Sequence, residues 1–518
     1  MSTSPAPDVV VVGAGPVGLV AAAELTRRGV GVRVIDKLAA PTTESRAIAV
    51  HARSLDMLNR MGIADQLTAT GLKAVALQLY TGGERLFRVP LGTVDSAFPY
   101  TVVTAQTETE RVLAEHAESL GLTVERGLEL VGLIQDDDAV HLTVRTADGT
   151  TDKITASWVI GADGAHSTVR HLVGTKLAGT FQGERFLLGD IDATHSLDTD
   201  SMHTFFSPDG PIALFPMIND RMRVIAQTRG AAGEPLNLNP TRDEVQAVLD
   251  RRVGGITVQR SHWSTSFEVH HAQVPAYRWG RVFLAGDAAH IHSPAGGQGM
   301  NTGMQDAFNL AWKLAAVVHG DAGQTLLDTY HAERHPVAAA VITFSDRLTK
   351  IGTLSGAAQH VRDLAMRVLG HVGPFTRQLA SVAEEIDINY KASPLAVGLS
   401  PHRSNVAAGE HLPHVADPAL QKQLGDLCGA GHAVVTVAGH HVAPAAGGPG
   451  PVQVLVTDTD TPVPGYDAVV ADPSGQLAAR LGVKSGGRVV VRPDGYIGAL
   501  TTLDDPAPVT DYFARLGR

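Results

Sequence analysis

A single cysteine, Cys428, stands in a chain of 518 residues. No disulfide can close within it, which suits a reducing cytoplasm. No uninterrupted run of about 20 apolar residues occurs, so no membrane-spanning helix is expected. Positive charge is in deficit. The formal net charge of −11 excludes nucleic acid as the main partner, because phosphate binding needs a concentrated basic surface. The start, "MSTSPAPD", lacks the basic residues that precede a signal-peptide core, and glycines and Pro16 break the apolar run after it, so no leader is expected. What is present is length enough for two to four domains, 44% hydrophobic residues and abundant Gly and Ala, the balance of an α/β protein.

"DVVVVGAGPVGLVAAAELTRRGVGVRVID" reads as a buried strand (Val9 to Val12), a glycine turn, a helix from about Pro16 to Arg28 and a second strand ending at Asp36. Gly13, Gly15 and Gly18 fall in GxGxxG spacing. Gly13 permits the tight turn, Gly15 lets backbone approach a pyrophosphate, and Gly18 lets helix and strand pack closely. The helix N-terminus offers N–H groups and partial positive charge to that pyrophosphate. Asp36, about 20 residues on, would accept from a ribose hydroxyl. A βαβ unit whose glycines serve packing alone leaves Asp36 unexplained. No second GxGxxG lies between a strand and a helix, which disfavours a reductase with two dinucleotide domains.

Two later stretches share the strand-turn-helix form. "ASWVIGADGAHSTVR" delivers Asp163, and "RVFLAGDAAHIHSPAGGQGMNTGMQDAFNLAWKLA" delivers Asp287. Met300, Met304, Phe308, Ala311 and Ala315 recur at helical spacing, so an amphipathic helix is expected from near Gly299. Asp287 with His290 and His292 suggests a divalent metal at first sight. No Glu-x-x-His spacing or cysteine cluster joins them in that stretch, so no metal is expected and the two histidines line or pack the turn.

These three motifs in this order resemble the FAD-dependent aromatic hydroxylases, the single-component flavoprotein monooxygenases related to para-hydroxybenzoate, phenol and pentachlorophenol hydroxylases and to hydroxylases of aromatic polyketide pathways. The resemblance covers about residues 8 to 400, with a weaker echo to the end. It implies tightly bound, non-covalent FAD, NADPH or NADH as transient reductant, dioxygen, and hydroxylation of a phenolic or polycyclic aromatic substrate through a flavin hydroperoxide. Asp36 would bind the adenosine ribose. Arg46 would lie along the pyrophosphate and flavin edge, and Gln106 would contact FAD from the start of a helix. Asp163 would belong to the region shared with the nicotinamide, and Asp287 would accept from the ribityl chain. Pro294 would sit beside the reacting carbon. Gly296, Gly297 and Gly299 give close backbone approach, and Met300 and Asn301 open a helix whose positive end faces the reduced flavin. Outside the resemblance, Arg46 reads as a surface arginine and Gln106 as an exposed helix residue. Baeyer–Villiger oxygenation on the same scaffold is the nearest alternative chemistry, and a non-catalytic flavoprotein that sequesters an aromatic ligand is the alternative of another class. Trp158, Trp263, Trp279 and Trp312 do not fall in the Trp-x-Trp-x-Ile-Pro pattern of flavin halogenases.

The expected fold class is α/β: a Rossmann-like FAD-binding domain (1–179 and 276–320), an inserted antiparallel substrate sheet (180–275), a helical segment (321–397) and a thioredoxin-like C-terminal domain (398–518) without Cys-x-x-Cys. Alternating stretches in the insert nominate Phe206, Phe215 and Met217 to line a pocket, and Arg223 and Gln227 to orient a polar group. All five would equally serve to pack or solvate the sheet. "GEHLPH" departs from the Gly-Asp-Arg opening usual for the last segment, so His411 carries no assigned role. The chain is expected to be a monomer or homodimer.

Overall fold

Val9–Val12, Val32–Asp36, Trp158–Gly161 and Val282–Leu284 are short runs rich in β-branched or aromatic residues, and the structure, a computed structural model, makes each a strand of one sheet. Residues 7–180, 184–229, 235–294, 296–398, 404–429, 431–438 and 450–517 are described. The opening segment 1–6, and residues 399–403 of the turn-rich crossing to the last domain, lie outside the described residues.

Among the described residues this sheet has six strands, with Val9–Val12 paired in parallel to both Trp158–Gly161 and Val32–Asp36. Val282–Leu284 runs parallel beside Trp158–Gly161. Three neighbouring strands therefore release their turns at one carboxyl edge, the edge where open α/β sheets bind ligands. Helices Pro16–Arg27 and Gly299–Val318 pack side by side against the sheet and close the main core with it. Gly303 makes room for this. A Cβ there would stand 2.8 Å from a Val17 methyl and 3.1 Å from the Gly286 Cα.

The sheet expected over 180–275 reaches beyond those bounds. Among the described residues its seven strands include Ala76–Thr81 and Glu84–Pro90, and Ala76–Thr81 pairs in parallel with Ser201–Phe206. Period-two alternation gives the sheet two apolar faces. Leu187, Phe205, Leu214, Met222 and Val224 pack with Val245 and Leu249 of helix Arg242–Arg252. Phe186, Phe206, Phe215, Met217 and Ile225 pack instead with Ile48, Ala49, Ala52 and Ala380. The second face thus meets the strand Ala49–Val50, the start of helix Ala52–Arg60 and the helix Gly373–Ala383.

From Val397 onward the described residues form a six-stranded sheet that mixes parallel pairs (Ala433–Val437, Val452–Thr457, Ala468–Ala471) with antiparallel ones (Gly487–Val491, Ile497–Thr502). Buried charges fasten it to the helix Gly299–Val318. Glu333 accepts from Lys313 at 2.7 Å and from Arg492 at 2.7 and 2.8 Å, while Asp494 accepts from Arg492 at 2.6 Å and from the Trp312 indole at 3.0 Å. Cys428 is buried there, and burial pushes its thiol up to about 11, so it stays protonated and inert.

Candidate active site

The first turn is shaped by main-chain crowding. A Cβ on Gly18 would lie 1.9 Å from the Gly13 carbonyl oxygen, and one on Gly13, at φ +104°, would lie 2.4 Å from that of Ala162. Gly15 differs, since nothing approaches its Cβ position within 4 Å. It caps the helix Pro16–Arg27 without any side-chain hydrogen bond, and no acid stands in the first turn. Open space in front of uncapped N–H groups fits an incoming pyrophosphate. Asp36 accepts from the Ala14 N–H at 2.7 Å and from the Leu38 N–H at 2.8 Å. Each carboxylate oxygen keeps a lone pair for a ribose hydroxyl.

Asp287 sits in the turn after Val282–Leu284, exposed to solvent yet with protein packed around it. That crowding raises its pKa, while the charges of His290, Arg46 and Arg170 pull it down. Arg170 ties this turn to the preceding one, donating to the Ala288 carbonyl at 3.2 Å and to that of Ala165 at 2.7 Å. Gly296 and Gly297 take φ of +96° and +68°, which L side chains resist, and bend the chain into helix Gly299–Val318. That helix begins where its sequence period predicts. It too has no side-chain cap and no acid in its first turn. Pro294 is half-buried just before the bend.

His290 has a partner, and it is not a metal. Asp306 accepts from His290 at 2.7 Å, from Arg334 at 2.7 Å and from the Gly286 N–H at 3.2 Å, all buried. His292 lies parallel to His290 with ring centroids 6.3 Å apart, and burial pulls its pKa down to about 4, so it is neutral. Among the described residues no group of three or more His, Cys, Asp or Glu is arranged to hold a metal ion.

Several candidate residues act through the scaffold. Both Asp163 oxygens are committed to the helix Thr168–Leu172, accepting from Ser167 at 2.5 Å, Thr168 at 2.7 Å and Val169 at 3.0 Å. The Asn301 side chain is buried behind the turn, donating to Ala49 O at 2.9 Å and Gly297 O at 3.0 Å and accepting from the His51 N–H at 3.0 Å. Met300 is half-buried against the main core. Gln106 accepts from the Ala47 N–H at 3.0 Å and so braces the loop that carries Arg46. The Arg46 side chain is 61% exposed with Glu44 at 3.2 Å.

Arg223 corrects the substrate reading. It is wholly buried, each guanidinium nitrogen has a protein acceptor, and those acceptors are Asp190, Ser45 Oγ at 3.1 Å and the Arg46 carbonyl at 3.2 Å. It clamps the Arg46 loop to the seven-stranded sheet, four of its five N–H groups being taken by these acceptors. Phe206, Phe215 and Met217 do share the inward face, with Phe206 under the Arg362 guanidinium at 5.0 Å. Gln227, two residues beyond Ile225 on the strand Arg221–Arg229, is buried, and its side-chain amide oxygen has no partner among the described residues. Sequence reasoning missed His51, Glu384 and Glu385, which gather behind the glycine turn. No short-range spacing signals them.

The fold and its edge of turns define a dinucleotide-binding α/β protein with a second sheet packed against that domain. Residues 6–345 match the FAD binding domain family, and residues 463–517 match the phenol hydroxylase C-terminal dimerisation domain. The chain is 36% identical to a 6-methylpretetramide 4-monooxygenase of Streptomyces rimosus, over 95% of this chain and 90% of that one. Against a pentachlorophenol 4-monooxygenase of Sphingobium chlorophenolicum the identity is 38%, over 64% of this chain and 63% of the other. A solved aromatic hydroxylase from angucycline biosynthesis superposes with a TM-score of 0.74 at 32% identity, covering 96% of both chains. The protein belongs to the FAD-dependent aromatic hydroxylase family and is a flavin-dependent monooxygenase. No helix among the described residues is long and apolar enough to cross a membrane.

Proposed function

We propose that the chain hydroxylates a polycyclic phenol, drawing two electrons from NADPH or NADH and one oxygen atom from dioxygen, the other leaving as water. What supports this reading is a carboxyl edge with two uncapped, acid-free helix N-termini and Asp287 in the turn between strand and helix, together with a Phe- and Met-rich sheet face that packs on Ile48, Ala49 and Ala52. FAD, when bound, supplies hydride acceptance and oxygen activation. The chain supplies placement. Gly15 and the N-terminus of Pro16–Arg27 would hold the pyrophosphate, Asp36 the ribose and Asp287 the ribityl hydroxyls. Pro294 and the turn Gly296–Gly299 would let the ring approach backbone, and the uncapped N-terminus of Gly299–Val318 would favour the negative charge the group gains on reduction. Arg46 lends positive charge at the cleft mouth. Phe206, Phe215, Met217 and Gln227 present the wall against which an aromatic substrate lies, and burial there excludes water. The matched C-terminal domain supports a homodimer, and the single, buried thiol suits the cytoplasm.

The test is to mix FAD-loaded protein with NADPH, dioxygen and a panel of phenols, naphthoquinones and polycyclic aromatics, and to identify products by mass. A gain of one oxygen atom on the ring, with aromatic-stimulated NADPH oxidation, is expected. A ring-expanded lactone, or no stimulation by any aromatic, overturns the reading.

A further inference from the structure

His51 is 2% exposed and stands at the entrance of helix Ala52–Arg60, with its ring turned toward the back of the glycine bend. Its Nε2 lies 3.0 Å from the Gly296 carbonyl oxygen. A carbonyl only accepts, so Nε2 carries a proton. On the other side Nδ1 lies 3.2 Å from the Thr101 hydroxyl. That hydroxyl donates to one oxygen of Glu384, which leaves its lone pairs turned toward the imidazole. The other Glu384 oxygen accepts from the Ala52 N–H at 2.7 Å, at a helix N-terminus that favours negative charge. With Glu384 ionised, both ring nitrogens face acceptors, and the state that satisfies them is the imidazolium. Burial opposes that charge, but the hydrogen bonding and charge of Glu384, then the charge of Glu385 and the Gly296 carbonyl, outweigh it and raise the His51 pKa.

We propose that His51, Thr101 and Glu384 form a buried relay that holds one proton behind the turn Gly296–Gly299, making His51 a positioning residue that favours the reduced, anionic cofactor. This rests on the FAD reading above. The charge is placed one peptide group behind the bend, since a Cβ on Gly297 would lie 3.5 Å from His51 Nε2. It therefore adds to the helix N-terminus that opens at Gly299. The Glu384 carboxylate lies beyond Thr101, on the side of His51 away from Gly296. The pair is thus a dipole with its positive end toward the turn. Loss of Thr101 would remove the hydroxyl bridge, leaving His51 Nδ1 facing Glu384 at 3.8 Å, while keeping the His51 to Gly296 bond in place.

The experiment measures the reduction potential of bound FAD, together with FAD affinity and thermal midpoint, in the native protein, His51→Gln and Thr101→Val. A glutamine can still donate to the Gly296 carbonyl but carries no charge. In His51→Gln the preference for reduced over oxidised FAD is expected to fall about tenfold, the scale of one lost charge interaction, as a more negative potential. Thr101→Val should shift it in the same direction by less. If His51→Gln fails to retain FAD, Thr101→Val decides. Unchanged potentials in the variants that bind FAD overturn the relay alone. Native protein that binds no FAD overturns the cofactor reading and the relay together.

Discussion

The turn at Gly13–Gly18 and the turn at Asp287–Gly299 offer a cofactor the same thing, a helix N-terminus with no side-chain cap and no acid in its first turn. They are held in place by opposite means. The first is built from what is missing: Gly13 and Gly18 have no Cβ because carbonyl oxygens at 2.4 and 1.9 Å occupy the space. The second is built from what is buried behind it. Asp306, His290 and Arg334 fix its start, Asn301 stitches its end to Ala49 and His51, and Glu384 and Glu385 stand behind both. Steric fit needs no charge and tolerates any pH. A charge network can be broken by one proton or one deletion, but it can also set the electrostatics of the cleft.

The largest effect is expected where the network is densest. Asp306→Ala leaves Arg334 buried with its charge uncompensated and frees the Gly286 N–H, so it should cost about 3–5 kcal/mol and lower the thermal midpoint of FAD-free protein sharply. A midpoint equal to that of the native protein would show that the second turn does not depend on charge.

Glu385 separates the two turns by pH. Burial raises its pKa from 4.5 to about 7, against the charge of His51 and the hydrogen bonds from Thr302 and Gln305. A raised acid contributes stability that is complete below 4.5 and is lost as pH climbs through 7, because the unfolded chain releases its proton first. The loss is at most about 3 kcal/mol. In Glu385→Gln the midpoint relative to native protein should rise between pH 5 and pH 8, whereas a constant difference across that range contradicts the assignment.

The first turn is tested by two alanines. Gly18→Ala drives a methyl into the Gly13 carbonyl and should cost about 1–3 kcal/mol as helix and strand separate. Gly15→Ala meets nothing within 4 Å, at φ −77° and ψ −176°, so stability should hold while FAD affinity falls. Equal losses of stability in both variants would erase the distinction drawn between packing glycine and approach glycine.

The same contrast governs what could be read from the sequence. The GxGxxG turn, Asp36 and the start of helix Gly299–Val318 are local patterns, each legible within some 30 residues. The inward set Phe206, Phe215 and Met217 followed from alternation alone. Partners did not. Asp163, Asn301 and Arg223 were recognisable as polar residues near a ligand edge, but spacing does not reveal that their side chains are already spent on Thr168, Ala49 and Asp190. Glu384 lies 332 positions from the Ala52 it caps, and the strands at 76–90 join a sheet whose other members begin at Glu184. Such pairings come from tertiary closure.

Arg46 gives the smallest effect and the sharpest separation. The fold uses its backbone, since Arg223 donates to its carbonyl and Gln106 braces the next residue, while among the described residues its side chain bonds Glu44 alone. An exposed pair of that kind adds little to stability. Arg46→Ala should therefore leave the thermal midpoint of FAD-free protein within about 0.5 kcal/mol of native and lower FAD retention, because Asp287 loses a nearby positive charge. A fall in midpoint without a change in FAD binding would move Arg46 out of the cleft and into the scaffold that holds it.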